Sequence, residues 1–156
     1  MASSDAPNSL PWYAAYPAPS NQSPMSITRE QVLDMLKEKN VTMQRDFVLV
    51  DLRRADHEGG TIHSSINLPA QSLYPSLPTL YALFKASSVS RVIWYCSSSR
   101  GRGTRAAGWF DDYVKSEGDT SMKSLVLSEG LKGWVNAGPE YVALVDEYDS
   151  KALGKE

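Results

Sequence analysis

Two runs of four apolar residues, Phe47-Val48-Leu49-Val50 and Val92-Ile93-Trp94-Tyr95, restrict the fold more than anything else in the chain. A strand with one wet face alternates apolar and polar residues. A run without alternation suits a strand covered on both faces, as in a parallel sheet. Parallel neighbours cannot be joined by a hairpin, so crossover segments must lie between them. Thr28-Arg29-Glu30-Gln31 has the form of a capping box, and Val32, Leu33 and Leu36 follow at helical spacing, which predicts a helix ending near Asn40. Residues 51–65 are polar and contain glycine, hence a loop, and Ile66-Asn67-Leu68 is a short extended piece closed by Pro69. Residues 73–85 read as a helix with Pro75 and Pro78 near its start. In residues 104–115, Ala106, Ala107, Phe110 and Val114 share a face and predict another helix. Residues 124–127 fit a third buried strand, 131–135 one helical turn, and 139–148 a final helix opened by proline. Strands alternating with helices make an α/β fold with a mainly parallel sheet.

A length of 156 residues suits one core. Residues 1–24 carry Pro7, Pro11, Pro17, Pro19 and Pro24 among small polar residues, so they form neither a regular helix nor a central strand. They read as an extended arm. Trp12, Tyr13 and Tyr16 are too apolar for a plain linker, which leaves packing on the domain and disorder as evenly matched expectations. The domain proper is expected over 25–148, with a tail over 149–156. Net charge is −2, which advertises neither a nucleic-acid nor a membrane partner. No apolar run approaches the roughly 20 residues of a membrane span. The N-terminus has neither the basic start nor the apolar stretch of a signal peptide. Its single cysteine fits a reducing compartment. A cytoplasmic or nuclear location is therefore the expectation.

That cysteine, Cys96, ends the second apolar run. Ser97, Ser98, Ser99, Arg100 and Gly101 follow, then Arg102 and a helix. The strand sets the thiol at the carboxyl edge of the sheet, where open α/β folds bind ligands. Small residues let backbone N–H groups converge on an anion, and the helix aims its positive end at the same point. Cysteine thiolates are favoured at helix N-termini and beside cations. Arg102 can fork two hydrogen bonds onto a tetrahedral anion, with Cys96 below as nucleophile. Arg100, Arg102 and Arg105 make the loop cationic. The competing reading is a buried structural cysteine.

Two further segments flank this loop. Asp51-Leu52-Arg53, Glu58-Gly59-Gly60-Thr61-Ile62-His63 and Ile66-Asn67-Leu68-Pro69 together resemble the first signature of the rhodanese superfamily. Leu127-Ser128-Glu129-Gly130-Leu131-Lys132-Gly133-Trp134 with Gly138 resembles its C-terminal signature. The resemblance covers about residues 25–140 and implies a rhodanese-like five-stranded parallel sheet with helices on both faces. Sulfurtransferases of the superfamily usually have a six-residue catalytic loop. The seven residues from Cys96 to Arg102 resemble instead the cell-division-cycle dual-specificity phosphatases and the eukaryotic arsenate reductases related to them. Those phosphatases typically have histidine before the cysteine and, in the mitotic members, glutamates within the loop. Here Tyr95, Ser97 and Gly101 stand in those places. A phosphatase gains from an acid that protonates the leaving oxygen. The resemblance thus implies arsenate reduction with an external thiol, glutathione or glutaredoxin by analogy. Hydrolysis of a phosphate ester or phosphoprotein at the same site is the second reading, thiosulfate sulfur transfer the third, and non-catalytic phospho-ligand binding the fourth.

Asp51 and Arg53 invite a catalytic role, although an ion pair at a strand end is more often structural. Glu58 is expected to brace the loop, and these three are read as supporting residues. His57 and His63 share one loop without further ligands at metal spacing, so no metal and no bound cofactor are expected. Trp109 and Trp134 read as core, and Asp111 and Asp112 as a solvated helix face.

Overall fold

The computed structural model describes residues 10–38 and 46–153. Its elements run β1 (Ser26–Ile27), α1 (Arg29–Glu38), β2 (Phe47–Asp51), β3 (Thr61–Ile62), β4 (Ser65–Asn67), α2 (Leu77–Ala86), β5 (Arg91–Tyr95), α3 (Arg102–Ser116), β6 (Lys123–Leu127), α4 (Gly130–Val135), α5 (Pro139–Val142), β7 (Val145–Asp146) and α6 (Ser150–Leu153). Five strands pair in the order β1-β6-β5-β2-β4, every neighbour parallel. This is an α/β rhodanese-like sheet. A separate antiparallel ribbon joins β3 to β7.

Side chains alternate across the sheet and make two cores. Val50, Val92 and Trp94 meet α2 and α3 through Leu77, Phe84, Ala106 and Phe110. Leu49, Ile93, Tyr95 and Leu125 meet α1 and α4 through Val32, Leu36, Leu131 and Trp134. Burial on both faces is why β2, β5 and β6 show no polar alternation. Thr28 caps α1 as its sequence predicts: Gln31 N–H donates to Thr28 Oγ1 at 3.1 Å and Thr28 N–H to Gln31 Oε1 at 3.0 Å. The expected end of that helix near residue 40 lies outside the described residues. No described helix is long and apolar enough to cross a membrane.

Five elements differ from expectation. The helix predicted from 73 begins as 3-10 turns at Ala70–Ser72 and Tyr74–Ser76, and α2 starts only at Leu77. Started at 73, it would have put Pro78 in its interior, without an N–H and against a carbonyl one turn back. The helix predicted over 139–148 stops at Val142, because Val145 is buried and pairs with Ile62 in the β3–β7 ribbon. The expected tail forms α6 as far as Leu153, and the Asp149 N–H donates to the Gly59 carbonyl at 3.0 Å. Helix α3 begins at Arg102, two residues before the predicted start. Strand β1 was not expected, since two residues carry no periodicity.

Candidate active site

Strand β5 is the middle strand, so its carboxyl end delivers Cys96 to the centre of the sheet edge. Alternation turns Tyr95 to one face and Cys96 to the α3 face, where the residue is 2% exposed. The turn that follows is held from outside. The N–H groups of Leu131 and Lys132, in the first turn of α4, donate to the carbonyls of Cys96 and Ser97, both at 3.0 Å. That approach needs a glycine, because a Cβ on Gly130 (φ +60°) would sit 2.5 Å from the Cys96 carbonyl. With these carbonyls turned outward, Ser99 takes a left-handed conformation (φ 64°) and its N–H donates to Cys96 Sγ at 3.2 Å. Thr104 Oγ1 donates to the Ser99 carbonyl at 2.8 Å and fastens the turn to α3. The amides of Ser98 and Gly101 donate to no acceptor among the described residues.

Ser97 and Ser99 are buried, Ser98 is half-buried, and Arg100 and Gly101 are exposed. Arg102 is the first residue of α3 and lies near the thiol, so helix geometry rather than loop freedom sets its direction. Its guanidinium is forked onto Asp56, with Nη1 to Oδ1 at 3.0 Å and Nη2 to Oδ2 at 2.7 Å. This pairing holds the Asp56 carboxyl down at about 2, against the cost of partial burial. Ser97 Oγ also reaches Asp56 Oδ2 at 3.4 Å. Asp56 is thus a carboxylate at neutral pH, and the pair leaves further Arg102 N–H donors outside it.

Glu58, expected to brace the loop, is exposed and has no side-chain partner among the described residues. The 3-10 turn Ala55–His57 aims Asp56 at the loop and carries Glu58 past it. Sequence offers two acidic residues in one loop, and only this turn chooses between them. Asp51 and Arg53 are both fully buried and paired, Nη2 to Oδ2 at 2.7 Å and Nε to Oδ1 at 2.9 Å. Arg53 also donates to the carbonyls of Gly60 and, at 3.2 Å, of Asp56. The pair touches no part of the cleft; it fixes the turn that carries Asp56. Tyr95 completes this layer. Its hydroxyl lies 2.9 Å from Thr61 Oγ1 and 2.7 Å from Ser65 Oγ, and it accepts from the Ile62 N–H at 3.1 Å. Burial, then the Asp51 charge, raises its pKa well above the ordinary value.

A cleft of about 450 Å³ opens above the thiol, lined by Trp12, Tyr13, Gln71, Cys96, Ser98, Gly101, Arg102 and Arg105. Its outer wall is the N-terminal arm, which packs on α3 over the described residues. Trp109 Nε1 donates to the Pro17 carbonyl at 2.8 Å, the Ser20 N–H to Asp112 at 2.7 Å, and Asn21 Nδ2 to Asp111 at 2.9 Å. Asp111 and Asp112 therefore anchor the arm rather than face water alone. Gly108 makes room for it, since any Cβ there would strike the Asn21 carbonyl and Pro19. Tyr16 stacks on Tyr74, with ring centroids 4.8 Å apart, and Arg105 lies over the Tyr13 ring at 3.5 Å. Residues 10–24 give no local sign of this packing beyond their aromatic content. Trp134 is core, with Nε1 donating to the Tyr141 carbonyl at 2.7 Å. His63 pairs at the surface with Asp146, 3.0 Å away. Among the described residues no group of three or more potential ligands is placed to hold a metal.

The arrangement defines a class: an α/β domain in which a cysteine at the end of the middle strand and an arginine opening the next helix bracket a short turn. The rhodanese-like domain family matches residues 28–137, and the chain belongs to that family. Within it, the chain is similar to Arsenical-resistance protein 2 of Saccharomyces cerevisiae, at 29% identity over 115 residues, covering 69% of this chain and 85% of that protein. Among solved structures it resembles an As-Sb reductase from Leishmania major, with a TM-score of 0.68 and 21% identity, covering 79% of this chain and 85% of that one. It equally resembles Ygr203w, described as a yeast protein tyrosine phosphatase of the rhodanese family, with a TM-score of 0.68 and 21% identity, covering 83% of this chain and 96% of that one. At such identities the structural likenesses establish the fold.

Proposed function

We propose that this chain is an arsenate reductase that draws its electrons from an external thiol. The observation that carries the reading is the absence of a carboxylic acid from the cleft lining among the described residues. Asp56, which touches the loop at Ser97, is locked onto Arg102 as a carboxylate. An alkoxide leaving from a phosphate ester would find no donor there. Arsenate loses one of its own oxygens as water and makes no such demand. The similarity to Arsenical-resistance protein 2 supports the same substrate.

Cys96 Sγ attacks arsenic, an S–As bond forms, and water leaves. An external thiolate then attacks Sγ. The S–As bond breaks with its electron pair going to arsenic, so As(V) becomes As(III) and arsenite departs. Cys96 is left in a mixed disulfide, which a second external thiol resolves. Two thiols are oxidised for each arsenate reduced. The chain has one cysteine, so both must come from outside; glutathione, alone or with glutaredoxin, is the proposed source. The loop amides and Arg102 hold the oxygens during attack. The reaction would take place in a reducing compartment such as the cytoplasm.

Phosphatase action is the second reading, favoured by the description of Ygr203w. It is most credible for aryl esters, whose phenolate leaves without full protonation. Parallel assays with arsenate plus glutathione, p-nitrophenyl phosphate, and thiosulfate plus cyanide separate the readings. The expected result is arsenite formation that needs added thiol and falls at least about 10³-fold in Cys96→Ser. Multiple turnovers without thiol would refute the scheme. Aryl phosphate hydrolysis without arsenite would transfer the site to the second reading.

A further inference from the structure

The cleft is several times larger than the anion its inner end would hold. A volume of about 450 Å³ falls in the range of pockets that take small organic molecules. Its outer part carries two polar groups that the oxyanion chemistry does not use. Arg105 lies one helical turn after Arg102 and has no carboxylate partner among the described residues. Its guanidinium is stacked at 3.5 Å over the Tyr13 ring, which fixes its plane and leaves its edge free to fork a carboxylate. Gln71, on the 3-10 turn after Pro69, has a buried carboxamide oxygen without a donor among the described residues. A buried acceptor left unpaired is costly, and an incoming N–H would relieve it. A second recess, lined by Ala18, Pro19, Arg100, Thr104 and others, shares Gly101 and Arg105 with the cleft and adds another cation beside it.

Acting together, these groups ask for one molecule with an amide N–H and a carboxylate, and the reductase scheme adds a thiol. We infer that the outer cleft, built by Tyr13 and Trp12 of the arm with Gln71 and Arg105, is the docking subsite for a small peptide thiol. The carboxylate meets Arg105, a peptide N–H meets Gln71, and the sulfur reaches Cys96. The subsite serves the step in which the peptide thiolate attacks Sγ as the S–As bond breaks. This inference rests on the arsenate reductase reading, and it gives the N-terminal arm a part in the site.

Arsenate reduction should be measured with glutathione and, separately, with 2-mercaptoethanol, which has neither carboxylate nor amide. In Arg105→Gln the KM for glutathione should rise about tenfold relative to that for 2-mercaptoethanol, and in Gln71→Leu about threefold. Equal shifts for the two thiols, or no shift for glutathione, would overturn the subsite while leaving the reductase reading intact. Calorimetric titration with S-methylglutathione, which binds but cannot react, tests the subsite apart from turnover. Binding to the wild type that weakens in both variants supports it even if no arsenate is reduced. An absence of binding to the wild type overturns it.

Discussion

Two aspartate–arginine pairs sit within one loop of each other and have opposite characters. Asp51–Arg53 is fully buried, and its arginine spends four N–H contacts on Asp51 and on the carbonyls of Asp56 and Gly60. Asp56–Arg102 is open, with side chains 37% and 24% exposed, and its arginine keeps donors unspent. The same two residue types thus form a saturated joint in one place and an open, unsaturated pair in the other. What separates them is the supply of other partners. Buried charges persist only when saturated, whereas a binding group must be left incomplete. The pairs also connect in series, since Arg53 holds the carbonyl of the residue whose carboxylate orients Arg102.

This contrast can be broken by experiment. The largest effects should come from removing each arginine in turn. Arg53→Met strands Asp51 in the core, and the urea midpoint should report a loss of about 3–5 kcal/mol. Arg102→Met should cost less than about 1 kcal/mol of stability at its open site, yet lower kcat/KM about 10³-fold. If both variants lose stability alike, the two pairs are not different in kind.

Asp56→Asn comes next. It keeps the shape of the side chain but loosens the grip on Arg102, so kcat/KM should fall about tenfold. The sign of its pH effect follows from a folded carboxyl held at about 2, below the ordinary 3.8. The pair stabilises the protein above about pH 4, and the contribution disappears as pH falls through about 2. Solvent screening at this open pair keeps it below about 1 kcal/mol. Urea midpoints from pH 7 to pH 2 should show wild type and variant converging at the acid end. A constant gap would mean that Asp56 acts through something other than its charge.

The smallest effect should be that of Glu58→Gln. Stability should stay within about 0.5 kcal/mol and kcat/KM within about twofold, because the side chain points to solvent. A large loss would return to Glu58 the bracing role that the structure gives to Asp56.

Much of the fold was legible because its signals are local. Unbroken apolar runs announced strands covered on both faces, and the capping box at Thr28 announced α1. The order strand, cysteine, small residues, arginine, helix announced the turn that joins β5 to α3, since neighbours in the chain stay neighbours at a strand end. Three further facts were decided only by the tertiary structure. Asp56 rather than Glu58 faces Arg102 because a 3-10 turn sets the phase of that loop. Pro139 begins a four-residue helix instead of a long one because Val145 gains more from burial against Ile62 than from another helical turn. The arm lines the cleft because Gly108, far away in sequence, leaves a groove on α3 that fits Pro19 and Asn21. Each of these depends on contacts between residues many positions apart, which composition and spacing do not encode.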